Sequence, residues 1–365
     1  MLYFSKLRVF SVLIFTLIIS YFTISNFTKV DDEFFSKNIK LGLDLQGGSY
    51  LLLEIDNNPV IVQRLQSKVL ELKKFFKDKN IKIRNFSIKD QSIFFDVNIM
   101  KKEEVLSLLD DDKSEINTYF QQFKSHEFDI ENEDNSFKLT YSDYGLVLLK
   151  NSSLDQAIET VRRRVDEVGT NEPNILKRGN DRILVELPGL DDPGRIKSLL
   201  GKTANLTFQF VATNQEQSFG TELLQYESGD REAIVSKRII ISGDNLVDAK
   251  PTMNNQTNQT VVSFSLDRVG ARKFGKATSS GVGKSLAIIL DGKIISSPTV
   301  QEPILGGNGQ ISGDFTFQSA TDLALLLRSG ALPAPLNIIE ERTVGPDLGK
   351  DSINAGIMSL IIGFI

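Results

Sequence analysis

Residues 153–210 read SLDQAIETVRRRVDEVGTNEPNILKRGNDRILVELPGLDDPGRIKSLLGKTANLTFQF, and the spacing inside this stretch decides the fold class. Ser153 and Gln156 form a capping box, and Leu154, Ile158, Val161, Val165 and Val168 then recur at helical intervals up to Gly169. Strands are expected at Asn174–Arg178 and Arg182–Leu187 around a Gly179-Asn180 turn. Asp192-Pro193 opens a short helix that Gly201 ends, and Ala204, Leu206, Phe208 and Phe210 alternate along a strand. Helix, hairpin, helix, strand is the succession of a split βαβ unit, so the expectation is an α+β, ferredoxin-like fold.

The same succession is expected upstream. Asn58-Pro59 starts an amphipathic helix through Ile61, Leu65, Val69, Leu72 and Phe76. Strands near Lys82–Ile88 and Ser92–Ile99, a helix from about Lys102 and a polar hairpin ending near Tyr141 follow. Downstream, the chain turns polar from Ala212 to Thr260, and Asn254–Thr260 has the composition of an exposed loop. A third unit is expected beyond it. Val261–Leu266 is a strand and Asp267 caps a helix. Ser285–Leu290 and Lys293–Val300 pair around Asp291-Gly292, and Phe317–Ser329 is a helix closed by Gly330. Pro333 and Pro335 then impose an extended exit.

The ends point to a membrane. Val9–Phe27 holds 19 residues without Asp, Glu, Lys or Arg, and such a helix spans about 28 Å, close to the hydrocarbon thickness. Lys6 and Arg8 precede it, while Asp31, Asp32 and Glu33 follow Lys29. The positive-inside rule therefore puts the N-terminus in the cytoplasm and the following chain outside. Thr23–Phe27 lacks a small-x-small cleavage site, so an uncleaved anchor is expected. Ile353–Ile365 reads INAGIMSLIIGFI, 13 residues that are too short to span. The expectation is a second transmembrane helix cut partway through.

Composition removes most chemistry from the middle. The net charge of −5 provides no basic field for nucleic acid, and the absence of cysteine with a single histidine, His126, excludes thiol, disulfide and histidine-triad chemistry. Gly283-Lys284-Ser285 resembles the end of a P-loop, but Thr278 stands where that pattern needs glycine. Gly42, Asp44, Gly47 and Gly48 in LGLDLQGG are not a dinucleotide fingerprint. The paired glycines fit a bulge or a close backbone approach, and Asp44 has no second carboxylate at a catalytic spacing. Arg162-Arg163-Arg164 is read as a solvated or interface face balanced by neighbouring acids, and His126 as a surface residue. No metal, cofactor or catalytic acid, base or nucleophile is expected.

Four blocks in order carry a family resemblance: LGLDLQGGSYLLLEID at 41–56, VRRRVDEVGTNEPNILKRGNDRILVELPGL at 161–190, SLAIILDGKIISSPTV at 285–300, and ISGDFTFQSATDLALLLRSGALPAPLNIIEERTVGPDLGKDSI at 311–353. The chain resembles the SecD family, membrane subunits of bacterial protein export within the RND superfamily. The resemblance implies six membrane helices in the whole protein, a main periplasmic domain after the first, and residence in the cytoplasmic membrane in contact with lipid. It implies residues 1–29 as cytoplasmic end and first span, and 30–56 as the first strand of a base. Residues 57–150 would be an additional α/β unit, 151–211 the ferredoxin-like base, 212–332 an inserted head, 333–352 a return linker with hinge, and 353–365 the second span. SecF, the SecYEG channel and the translocating preprotein are the implied partners. The proton gradient would be the energy source, through a membrane aspartate outside this sequence.

Gripping an unfolded chain needs adaptable apolar surface, so Phe274, Ile304, Leu305 and Phe315 are expected to line a substrate groove. Gly345, Pro346 and Gly349 are expected to form a hinge. The rival readings are an RND exporter of small molecules or lipids, and a membrane-anchored enzyme, for which no nucleophile–base pair is found.

Overall fold

The computed structural model describes residues 5–25, 47–169, 173–190, 193–212, 220–254 and 258–364, without the side chains of 22–25, 346–350, 352 and 364. The chain divides into two compact units, Met1–Gly47 with Val344–Ile365, and Gly48–Thr343.

The first unit contains α1 (Lys6–Ser25) and the last helix, α8 (Pro346–Phe364). Phe10, Val12, Leu13, Phe15 and Leu17 of α1 are exposed, as are Met358, Leu360 and Ile362 of α8. Among the described residues no helix is long and apolar enough to cross a membrane. Where a span is expected over Val9–Phe27 the structure shows a helix, Lys6–Ser25, that does not reach that length and hydropathy within the described residues, and residues 26 and 27 lie outside them. The last helix starts seven residues before Ile353, because Pro346 supplies a favourable first helical position.

The second unit opens with β1 (Gly48–Ile55), α2 (Asn58–Asp78), β2 (Ile83–Lys89), β3 (Ser92–Val97), α3 (Lys102–Asp110), β4 (Tyr119–Phe120), β5 (Ser125–His126), β6 (Phe128–Glu133), β7 (Ser136–Tyr141) and α4 (Asp143–Val168). It continues with β8 (Asn174–Arg178), β9 (Arg182–Pro188), α5 (Gly194–Leu200), β10 (Leu206–Phe210), β11 (Thr221–Gln225), β12 (Glu232–Ser236), β13 (Ile241–Ser242), β14 (Leu246–Met253) and β15 (Thr260–Leu266). It closes with α6 (Arg268–Ser280), β16 (Leu286–Leu290), β17 (Lys293–Ser296), β18 (Asn308–Ile311), α7 (Phe317–Ser329) and β19 (Leu336–Val344).

One four-stranded sheet has the order β19-β1-β9-β8, so its strands in chain order stand 4-1-3-2. Leu51, Leu53 and Ile55 alternate inward on β1, Ile183, Val185 and Leu187 do so on β9, and Leu154, Ala157, Val161 and Val165 of α4 close the core. Gly48 begins β1 at φ +134°, where a Cβ would come within 2.2 Å of the Leu187 carbonyl oxygen. Only glycine permits that approach.

Residues 57–150 differ from the expected split βαβ. Their sheet, β2-β3-β7-β6, is antiparallel throughout and made of two hairpins. The nine-residue α3 does not cross over to a parallel strand. Instead β7 returns beside β3 with Ile93 opposite Leu139 and Phe95 opposite Phe137, whose rings stack at 5.4 Å. Leu65, Leu72 and Phe76 of α2 cover this sheet.

The helix expected to start at Ser153 starts at Asp143, where the Ser142 hydroxyl accepts a hydrogen bond from the Gly145 amide at 3.0 Å. Ser153 is buried in its interior. Leu146 packs on the core of residues 57–150, Leu154 and Val161 pack on the first sheet, and Leu149 touches both. A single 26-residue helix therefore ties the two sheets together.

Between α5 and β19 the chain leaves the first sheet and builds an insertion. It holds the sheets β13-β10-β16-β17 and β14-β15-β18 and the hairpin β11-β12. The polar stretch 212–260 thus carries strands rather than a continuous loop. Asp291 (φ +50°) and Gly292 (φ +79°) make the expected tight turn between β16 and β17. Phe208, Phe264, Phe274, Leu286, Ile288 and Leu323 form the core between sheets and helices.

Candidate functional site

The insertion carries a cleft of about 870 Å³. Three pieces of chain form its walls: Ser296–Pro298 at the end of β17, Ser312–Phe315 after β18, and Tyr226–Arg231 after β11. Its floor is apolar, from Leu290 and Ile295 of the hairpin and Leu323 and Leu326 of α7. The rim is polar and tied together in places. The Tyr226 and Ser297 hydroxyls lie 2.6 Å apart, the Glu227 amide donates to the Ile294 carbonyl at 2.9 Å, and the Arg231 guanidinium sits 4.9 Å from the Tyr226 ring centre. Among the described residues no group of three or more His, Cys, Asp or Glu could hold a metal ion. An apolar floor under a rim of hydroxyls, charged side chains and backbone groups suits binding of an extended, amphipathic ligand.

The four predicted groove residues do not come together. Phe274 is 2% exposed and sits in the core with its ring against Phe208 at 5.8 Å and Phe264 at 6.4 Å, so it cannot line a groove. The helix face that carries it points between the two sheets of the insertion. Ile304 is partly buried on the same core, and its amide donates to the Thr278 hydroxyl at 3.0 Å. Leu305 is 72% exposed and lies over Gly275. Phe315 alone of the four lines the cleft. Of the predicted hinge, Gly345 is the single residue between β19 and α8, Pro346 opens the helix, and Gly349 lies within it. Gly42 and Asp44 lie outside the described residues, and Gly47, itself at φ +70°, leads into Gly48.

The arginine run also divides. Arg162 pairs with Glu159 on the exposed face as expected, but Arg164 is 1% exposed. Its guanidinium donates to four backbone carbonyls: Leu199 at 2.6 Å, Lys202, Thr203 at 3.2 Å and Gly330 at 3.2 Å. Burial pushes its pKa down to about 10 while Asp291 pulls it back up, so it stays charged at neutral pH. Asp291 accepts from the Thr203 hydroxyl and from the amides of Ala204 at 3.1 Å and Asn205 at 2.8 Å. The Leu332 amide donates to Thr203 at 2.8 Å, so the outgoing and returning connections of the insertion are pinned to each other. Ion pairs Arg328–Glu167 at 2.5 Å and Arg195–Asp322 at 2.9 Å flank this joint, over buried Leu199, Ala204, Leu325 and Leu326. The carbonyl partners of Arg164 lie 35 to 166 residues away in sequence, and no local signal announces them.

Among the described residues two other titratable groups are displaced, neither in the cleft. Hydrogen bonds from Ser136 and then Asn85 hold Asp96 below the usual carboxylate range. Burial, with Glu127 adding to it, pushes Tyr141 up to about 12. His126, expected on the surface, is half-buried with its ring 4.7 Å from Tyr119.

Two family models match the chain: the SecDF P1 head subdomain over residues 221–334, and the N-terminal P1 domain of protein translocase subunit SecDF over residues 154–213. The chain is 41% identical to protein translocase subunit SecD of Rickettsia bellii, across 98% of its own length and 69% of that relative. It is 38% identical to the subunit of the same name from Rickettsia conorii, across 99% and 70%. In fold it is similar to a crystal structure of SecDF in a super-membrane-facing form, with a TM-score of 0.52 and 24% identity, covering 96% of this chain and 38% of that one.

Proposed function

Because the chain belongs to the SecD family of protein translocase subunits, we propose that it helps draw preproteins across the bacterial cytoplasmic membrane, its insertion gripping the emerging chain. The observation that carries this reading is the cleft, with Leu290, Ile295 and Leu323 below and Ser296, Ser297 and Ser312 around it. Unfolded polypeptide offers alternating apolar side chains and a polar backbone, and such a floor and rim answer both without demanding one sequence. Phe315 is kept in the gripping surface, and exposed Leu305 stands outside the cleft as a further contact.

In this reading the β19-β1-β9-β8 sheet with α4 and α5 is a ferredoxin-like base, supported by its 4-1-3-2 order. Residues 212–332 are the head, and 57–150 are an additional unit held to the base through α4. The exposed apolar side chains of α1 and α8 contact membrane lipid, with the main domain in the periplasm. Gly345-Pro346 is the hinge. SecF and SecYEG are the partners, the proton gradient drives the cycle, and the role is mechanical rather than enzymatic. Depleting the protein tests the reading. Accumulation of secreted precursors is expected, whereas accumulation of a drug or lipid with normal export would support a small-molecule exporter instead.

A further inference from the structure

The charges around the cleft are unbalanced. Glu227, Asp230, Asp314 and Asp322 line it, against Lys202 and Arg231. Asp322 is engaged by Arg195 at 2.9 Å, whereas Lys202 and Arg231, the latter stacked on Tyr226, keep their charges and leave an excess of one carboxylate. Among the described residues, Glu227, Asp230 and Asp314 have no ion-pair partner, and all three are exposed. They come from two of the three chain segments that line the cleft, Glu227 and Asp230 after β11 and Asp314 after β18.

We propose that the cleft prefers one chemical class of polypeptide segment, extended stretches that carry lysine or arginine beside apolar residues, over equally apolar stretches that carry aspartate or glutamate. The inference rests on the chain-gripping reading and adds selectivity to it. A segment laid along the floor would place its apolar side chains on Ile295 and Leu323. Its cations would come within reach of Asp230 on one wall and Asp314 on the other. Three exposed carboxylates against the two exposed cations Lys202 and Arg231 leave about one net surface interaction, and attraction of a cationic segment together with repulsion of an acidic one amounts to about a fivefold preference. The preference has to fade with ionic strength, because these groups are open to solvent and screened within about 10 Å at 0.1 M salt. The acidic rim would also weaken the hold on acidic segments, so that release is faster where the passing chain turns acidic.

The test uses the full chain in nanodiscs of zwitterionic lipid, so that lipid charge does not contribute. Two fluorescent, unstructured peptides of equal length and apolar content are compared by anisotropy, one with lysines and one with glutamates at the same positions. A photoreactive residue at Ser297 reports whether binding occurs in the cleft. The lysine peptide should bind about fivefold tighter at low salt, and the difference should shrink to within about twofold at 0.5 M salt. The triple variant Glu227→Lys, Asp230→Lys, Asp314→Lys should reverse the order. All three side chains are exposed, so the fold is unaffected, and unchanged amide exchange in α6 and α7 checks this. Equal affinities with Ser297 adducts intact would overturn the selectivity and leave the gripping role standing. A lysine preference that survives the triple reversal would also overturn it. Binding of neither peptide, with no adducts, would remove the gripping role as well.

Discussion

Replacing Arg164 with methionine should loosen the joint between base and insertion while leaving both cores packed. The substitution keeps most of the buried stem and deletes the guanidinium. Four carbonyls lose a donor, but Thr203 keeps the Leu332 amide, so the uncompensated ones are Leu199, Lys202 and Gly330. An orphaned buried carbonyl costs about 1–3 kcal/mol. Water reaches the half-exposed ones, and removing a buried charge returns part of its desolvation penalty, so the net loss is about 3 kcal/mol. For a unit the size of Gly48–Thr343 that is a drop in Tm of about 6 °C. Urea and thermal unfolding of the full chain measure it, and hydrogen exchange at the amides of Ala204, Asn205 and Leu332 locates it. Arg164→Lys should recover part of the loss, because one ammonium reaches fewer of the four acceptors. A loss below about 1 kcal/mol with unchanged protection at these amides would refute the claim that the guanidinium holds the joint.

The burial pattern makes opposite predictions for two residues that looked alike in sequence: Phe274→Ala should cost about 3–5 kcal/mol, and Leu305→Ser less than about 0.5 kcal/mol, in urea unfolding. Burial pushes Tyr141 up to about 12 in the folded chain, above its ordinary value of about 10, so its contribution is fully present below pH 10 and is lost as pH rises toward 12. Tyr141→Phe should therefore lose less stability than the parent between pH 9 and 11. The chain has no cysteine, so a pair of cysteines introduced on either side of Gly345 can lock the proposed hinge on oxidation without side reactions. Export should slow upon oxidation and recover upon reduction, and an unchanged rate with the crosslink formed would exclude the hinge.

Elements whose signals are local were legible in the sequence. Phe317–Ser329 is helical over its expected length, because Thr316 caps it and Gly330 ends it. The Asp291-Gly292 turn set the β16–β17 pairing. The start of α4 was missed because Asn151-Ser152-Ser153 looks like a cap, although Leu146 and Leu149 already bury against the neighbouring core. The strands within 212–260 were missed because Thr221–Gln225 is nowhere fully buried and Glu232–Ser236 buries only Val235, leaving little alternation to read. Phe274 and Phe315 are chemically equivalent in the sequence. Only the tertiary packing sends one into the core and the other to the cleft. Arg164 illustrates the same limit, since its acceptors are backbone atoms brought together by the fold.

The central claim is that an emerging preprotein lies in the cleft of the insertion, and site-specific photocrosslinking to a stalled export intermediate tests it most directly. Probes at Ser297 and Ser312, on two walls of the cleft, should both give adducts with the stalled chain. A probe at exposed Lys177 on β8 should give none. Adducts from Lys177 with none from Ser297 or Ser312 would contradict the account.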